Sequence, residues 1–462
     1  MTHSRRPRTV LAAALVCALA AFAPAAFALG LADSWRAAQQ ADPMYIAAKY
    51  ELDATRFAVP IARSQLLPQV AINTGDTKVN GTQDSTDTNA QVASRPLDYF
   101  ARSRALTFRM PIFNKDAWAR LSLSEAQVAT AEALYLVRTK DLAIRLGRAY
   151  FPLLFALEGV ELAKSAVQAY SEAVAFATRS FRGGEGTRTE VSEAEARLQI
   201  ARAELIDAQD QVEVARRALQ TIVGVDTSTV TAPATPSLLP PLDPPRMESW
   251  LERVDAQSPE VLTRRLQAEQ ARLEVTRAQA GHYPRLDAVA AASIAENDTV
   301  NNLNTRIRQN TIGIQLNIPL YSGGFVQAST EQALLTVRKA EQELEAELNT
   351  QRVDARRQFL AVVNGRARIE AFDKAVSASQ VALEGTRFGV RAGLRTNLDV
   401  LNAERQVFLA RRDLSQARYA YMLAVLQLRA VAGDSLDETI EAIDRALRIP
   451  APQPVQRASS GS

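Results

Sequence analysis

Residues 191–222 read VSEAEARLQIARAELIDAQDQVEVARRALQTI, and residues 400–431, 209 positions later, read VLNAERQVFLARRDLSQARYAYMLAVLQLRAV. In the first stretch Val191, Ala194, Leu198, Ala201, Leu205, Ala208, Val212, Ala215, Leu219 and Ile222 fall at strict 3-4-3-4 spacing. Val400, Ala403, Val407, Ala410, Leu414, Ala417, Tyr421, Ala424, Leu428 and Val431 repeat that register. A seven-residue period with apolar a and d positions specifies a supercoiled helical seam. Alanine at four of the five d positions in each copy lets neighbouring helices approach closely.

The repetition extends along the chain. Pro43 and Pro68 recur as Pro259 and Pro284, offset by 216, and Pro111-Ile112-Phe113 recurs as Pro319-Leu320-Tyr321, offset by 208. Gly184, Glu190, Val191, Ala194, Glu195 and Gly224 match Gly393, Asp399, Val400, Ala403, Glu404 and Gly433 at 209. Two copies of about 200 residues are too long for the solenoid and propeller periods, so one structural unit is used twice. The expected division is a leader at 1–28, a first repeat at 29–228 with a hairpin near 69–112, and a proline-rich linker at 229–246. A second repeat at 247–434 follows, with a hairpin near 286–320, and then a short equatorial helix and disordered tail at 435–462.

The N-terminus has Arg5, Arg6 and Arg8, an apolar run over 10–23 and Ala26-Phe27-Ala28, the pattern of a secretory leader rather than a membrane span. Taking those three from 54 Lys+Arg leaves 51 against 51 Asp+Glu, so the mature chain is neutral and its charge does not point to nucleic acid. The single cysteine, Cys17, lies inside the leader, where bulky Val16 and the continuing apolar run argue against lipid attachment. With His282 the only histidine after cleavage, no His/Cys metal cluster and no Cys/His nucleophile pair can be assembled in one chain. No cofactor is implied, and the composition argues against an enzyme.

Helical periodicity runs over about 31–65, 115–181 and 187–223, and again over 247–281, 325–389 and 397–431. The helix over 115–181 would be on the order of 100 Å long. Pro152 predicts a kink or break in it. Between the first two helices of each copy the period changes to 2, most cleanly at Ile312, Ile314, Leu316, Ile318 and Leu320. Its partner is about 286–295, across a polar loop at 296–310. The first copy's strands are about 69–79 and 101–112. Strands of about ten residues fit a tilted bilayer crossing, although a small soluble sheet would read the same. No apolar run in the mature chain reaches the length of a membrane helix, so an integral protein would be an outer-membrane barrel. Four strands cannot close one. Two chains would pool eight and three would pool twelve, and the spacing alone does not choose.

With Gly281-His282-Tyr283-Pro284 entering a strand, Asn317-Ile318-Pro319-Leu320-Tyr321-Ser322-Gly323-Gly324 leaving one and the stretch from Gly393 to Ala403 opening the last long helix, the chain resembles the TolC family of outer-membrane export ducts over residues 31–447. The resemblance implies a mainly α fold with a β-barrel part. Duplicated helix–hairpin–helix units give four transmembrane strands per chain, and a homotrimer forms a twelve-stranded barrel on a helical coiled-coil tunnel. It also implies a passive channel in the outer-membrane lipid for efflux or type I secretion, with a long periplasmic extension. The partners would be a periplasmic adaptor (membrane fusion) protein and an inner-membrane ABC or proton-driven transporter.

Carried over by position, Asp399 falls on the tunnel-entrance aspartates. Arg395 falls on the arginine that holds the entrance closed, with Thr189 and Glu190 as its bonding partners. Asn402 stands where a second aspartate can occur and Val390 where a gating tyrosine can. The turns at Gly183-Gly184 and Gly393-Leu394 match the adaptor-contact tips. Asp399 and the turns have plainer readings, since a carboxylate at a helix N-terminus is favoured by the macrodipole and glycine suits any turn. The rival function is a non-conducting trimeric coiled coil with a structural or adhesive role in the envelope.

Overall fold

The computed structural model of the protein describes residues 29–86, 92–232, 239–297 and 305–448. The expected leader and tail, part of the proline linker including Pro233 and Pro236, and the hairpin tips lie outside these residues. The helices are α1 (Leu31–Ala41), α2 (Pro43–Arg56), α3 (Ala58–Ser64), α4 (Lys115–Arg182), α5 (Arg188–Val223), α6 (Met247–Gln257), α7 (Pro259–Gln279), α8 (Phe325–Arg391), α9 (Asn397–Ala432) and α10 (Leu436–Arg448). The strands are β1 (Gln69–Thr86), β2 (Val92–Asn114), β3 (Arg285–Asn297) and β4 (Thr305–Asn317). The chain divides into two compact units. One comprises Ala48–Val137 and Pro259–Gln351, and the other Met1–Ala47, Arg138–Ser258 and Arg352–Ser462.

The strand unit holds one antiparallel sheet in the order β1-β2-β3-β4. Pairing of β2 with β3, from Arg102↔Glu296 to Asn114↔Arg285, joins the two hairpins, with a bulge between Pro111 and Phe113. Cross-strand partners share a face, and the register assembles two contrasting faces. One carries the rows Val70–Phe108–Ala290–Ile312, Ile72–Leu106–Ala292–Asn310, Met110–Ala288–Ile314 and Leu286–Leu316. Ile312 is 91% and Ile314 71% exposed. The opposite face carries Asn73, Thr107, Arg109, Asp287 and Gln315, with Arg109 Nη2 donating to the buried Asp287 at 2.6 Å.

From Leu286 to Ile294 the apolar band spans eight steps, roughly 26 Å along the strand. A tilt of about 40° brings this to roughly 20 Å, close to the ~25 Å band of a transmembrane barrel. At the end where β2 meets α4, Phe113 packs edge-on against the partly exposed Trp118 with ring centroids 5.1 Å apart. Amphipathic aromatics are favoured at that depth. β1 and β4 each have a single neighbour, so the sheet presents two open edges.

Several sequence expectations are corrected here. β1 and β2 have 18 and 23 residues rather than about ten. Residues assigned to polar loops, including Glu296, Asn297 and 305–310, continue the ladders. Backbone pairing needs no apolar side chain, so strands that rise out of lipid keep their hydrogen bonds while losing the alternation that marked them. β4 ends at Asn317, before Pro319, which has no N–H to give to a ladder. The helix expected over 31–65 is three pieces. Asp42 caps α2 by accepting the Tyr45 N–H at 2.8 Å, and Pro43 occupies the first helical position. The second copy repeats this division, with Ser258 between α6 and Pro259 of α7.

Pro152 breaks nothing: α4 runs through it for 68 residues. Its ring is exposed while Phe151, Leu153 and Leu154 around it are buried. Packing of those three holds the turn that a missing backbone bond would loosen.

In the helical unit, α1 packs on α10, where the Leu31 N–H donates to Asp444 Oδ1 at 2.7 Å and Trp35 Nε1 to Asp437 Oδ1 at 2.5 Å. Arg145 forks onto Asp42 at 2.8 and 2.9 Å, holding that carboxyl below its ordinary pKa through the side-chain bond despite partial burial. Trp250 and Tyr421 are fully buried and donate to the Pro244 and Pro240 carbonyls, anchoring the linker. The heptad positions of α5 and α9 are all buried or half-buried.

Ala201, 1% exposed, sits in a cluster with Tyr170, Leu198 and Leu401. Ala201→Leu would add bulk to a seam that alanine keeps close, and overpacking of this kind costs about 1–3 kcal/mol. A lowered melting temperature with unchanged helix content is expected by circular dichroism; an unaltered melt would show a loose seam.

Candidate functional site: the turns between the long helices

The two helix-to-helix turns are built alike at the 209-residue offset. In the first, Gly184 (φ +81°) closes α4, with its N–H to Phe181 O at 3.1 Å and the Glu185 N–H to Ser180 O at 2.9 Å. In the second, Gly393 (φ +74°) closes α8, with its N–H to Val390 O at 3.0 Å and the Leu394 N–H to Gly389 O at 2.8 Å. This pair of bonds around a left-handed glycine is the Schellman motif. Each following helix then starts with a capping box. Thr187 Oγ1 accepts the Glu190 N–H at 3.2 Å while Glu190 Oε2 accepts the Thr187 N–H at 3.2 Å. Thr396 and Asp399 do the same at 3.3 and 3.0 Å, and the Thr396 hydroxyl adds a bond to Asp399 Oδ2 at 3.0 Å.

Both candidate acids are thus engaged with their own helices, and both remain partly open to solvent. The Thr396 backbone N–H first, then its hydroxyl, then the charge of Arg395 hold the Asp399 carboxyl below the ordinary carboxylate range. Its folded pKa is depressed, so the associated stability is present above the unfolded value and is lost as pH falls through the folded one. An NMR titration should find the Asp399 midpoint below that of a free aspartate, and Thr396→Val should move it up. An unshifted midpoint in the wild type would contradict the bonding.

The copies differ at several positions of the turn, Glu185 and Leu394 among them. Gly186 in the first stands where Arg395 stands in the second, and Ser180 where Gly389 stands. A side chain on Gly389 would lie 2.7 Å from Arg395 Cγ, so the second turn accommodates an arginine folded over a glycine. Arg395 is exposed and makes no side-chain hydrogen bond or ion pair among the described residues; within one chain it bonds neither Thr189 nor Glu190. Thr189 is exposed and Val390 half-buried. Leu394 is 80% exposed at the tip, and Phe388 is exposed beneath the Arg391 guanidinium, 4.2 Å from its ring centroid.

Two contacts near the turns escaped the sequence reading. Arg197 Nη2 donates to Asn402 Oδ1 at 3.1 Å, tying α5 to α9. Arg387 Nη2 donates to Glu404 Oε1 at 2.8 Å, and Glu404 is buried with its second oxygen unbonded among the described residues. The only signal for the second was a carboxylate beside a d position, Ala403, which also fits a solvated helix face.

The profile of the family described as outer membrane efflux protein matches residues 36–225 and 250–434. The chain belongs to that family. It is 32% identical to the proteases secretion protein PrtF of Dickeya chrysanthemi, over 88% of each chain. It is 31% identical to the alkaline protease secretion protein AprF of Pseudomonas aeruginosa, over 89% of this chain and 86% of that one. Its fold is that of the outer membrane protein VceC of Vibrio cholerae, with a TM-score of 0.72 at 21% identity over 88% and 96% of the two chains. The protein is accordingly an outer-membrane efflux or secretion channel with a long periplasmic extension.

Proposed function

We propose that three copies of this chain join edge to edge, β4 of one beside β1 of the next, into a twelve-stranded barrel, and that the assembly is the exit duct of a type I protein secretion system. The open edges of the four-stranded sheet carry this reading, because a bilayer does not tolerate unpaired strand edges. A protein cargo is favoured over a small molecule because two relatives above 30% identity are named for protease secretion.

The duct performs no catalysis; energy comes from an inner-membrane transporter of the ABC class, reached through a periplasmic adaptor. The turns at Gly183-Gly184 and Gly393-Leu394 are the adaptor contacts, with exposed Leu394 and Phe388 offering apolar surface. Asp399 and Arg395 govern the entrance. Each half of the chain, 29–228 and 247–434, supplies one hairpin and one coiled coil, and 229–246 links them.

Crosslinking in mild detergent is expected to give a ladder ending at three, and the purified protein to conduct in planar bilayers. Disruption of the gene should abolish export of specific proteins. A dispersed monomer with full strand content would end the barrel proposal, and loss of drug resistance with unchanged protein export would move the cargo from protein to small molecule.

A further inference from the structure

At the end away from the helices, past Asn310, the apolar face of the sheet gives way to rows that carry charge. Its next two rows are Thr74–Arg104–Ile294–Arg308 and Asp76–Arg102–Glu296–Arg306, on the same face as Ile72, Leu106 and Ala292. Strands lie about 4.8 Å apart and alternate residues about 7 Å apart, so four guanidinium stems emerge from a patch roughly 10 Å by 7 Å.

Glu296 is shared by two of them, Arg306 at 2.5 Å and Arg102 at 3.9 Å. Arg104 and Arg308 are exposed, flank Ile294, and have no side-chain partner among the described residues. The remaining charges on this face are Asp76 and, further out, Lys78, paired with Asp98 at 3.5 Å, and Asp84. The patch is net basic and sits where acyl chains give way to headgroups. β2 and β4 lead towards α4 and α8 at the other end of the band, so with these helices as the periplasmic extension the patch belongs to the leaflet facing the cell exterior.

We propose that this arginine patch binds the phosphate groups of a phosphorylated glycolipid of the outer leaflet. The proposal rests on the strands crossing the bilayer. Arginine suits the role because its planar fork gives two parallel bonds to a phosphate, where lysine supplies a point charge. Its aliphatic stem can lie along the neighbouring apolar rows while the head reaches the phosphate. Ile294, between the two unpartnered arginines, would pack against the first acyl carbons.

The test uses the full-length oligomer in detergent, titrated with diphosphoryl lipid A or with the same lipid stripped of its phosphates, and read by native mass spectrometry. Wild type should retain the diphosphoryl form, and removing the phosphates should weaken binding about tenfold. The double variant R104Q/R308Q should lose a similar factor at unchanged strand content and oligomeric state. R104K/R308K, which keeps the charge, should fall between and guards against a folding defect in the glutamine pair. Equal retention of the two lipid forms by wild type, or wild-type retention by the glutamine pair, would overturn the proposal. Failure of the wild type to float with phosphatidylcholine vesicles would overturn the bilayer reading beneath it.

Discussion

Gly433→Ala should be among the most damaging single-methyl changes in this chain. Gly433 ends α9 at φ +80°, and a Cβ there would lie 2.3 Å from the Gln257 carbonyl oxygen and 2.8 Å from its carbon. The obstacle is backbone at the end of α6, which cannot rotate away as a side-chain tip could. The left-handed conformation costs an L-residue about 1–2 kcal/mol, and forcing the two segments apart adds about 1–3 kcal/mol. Gly184 provides the control, since its φ is +81° and a Cβ would meet nothing within 4 Å. Gly184→Ala should therefore show only the conformational cost. Thermal melting of the two variants should separate them by several degrees, with Gly433→Ala lower; coincident melts would mean that the α6–α9 junction yields.

The second large effect is expected at the entrance. Three copies of Asp399 around a threefold axis would make an anionic ring, and low-dielectric walls concentrate its field. Trivalent cations at submillimolar concentration on the periplasmic side should then block current. Asp399→Asn is the informative change, because it removes the charge and keeps an acceptor for the capping box. That variant should conduct and resist block. Arg395 should act oppositely: its unpartnered guanidinium is free to reach Thr189 or Glu190 of an adjacent coil, where a charge-assisted bond contributes about 1.5–3 kcal/mol to the closed state. With valine at 390, Arg395→Ala should raise single-channel conductance several-fold. Wild-type conductance in the arginine variant together with retained block in the asparagine variant would remove both residues from the gate.

The coiled-coil part of the fold was legible because packing repeats. A seam such as Val191-Ala194-Leu198-Ala201 states its buried face through spacing alone, and in the structure Ala194, Leu198 and Ala201 are buried and Val191 half-buried. The turns were legible for a similar reason, since Gly184 and Gly393 are residues that a left-handed helix end demands. The upper parts of β1 and β2 were not, because solvent-facing strands such as Asn80↔Asp98 are held by backbone bonds that leave no mark in side-chain polarity. Nor was the passage of α4 through Pro152, which depends on tertiary contacts of Phe151 and Leu154. At the candidate entrance the residue types were visible, but not their local engagement. Glu190 and Asp399 serve as helix caps whatever else they do, and Arg197 reaches Asn402 across 205 positions that only the fold brings together.

The unfinished edges of the sheet carry a consequence for how a cell makes this protein. β4 alone is 13 residues long, and about half of its backbone donors and acceptors point away from β3. Each left bare in hydrocarbon would cost several kcal/mol, so in the proposed trimer membrane entry and subunit association would be one event rather than two. A damaged subunit that offers a good β1 edge and a defective β4 edge would be accepted into a growing ring and then prevent its closure. Co-expressed with intact copies, it would poison them, and the dose dependence of that poisoning would count the subunits in the ring.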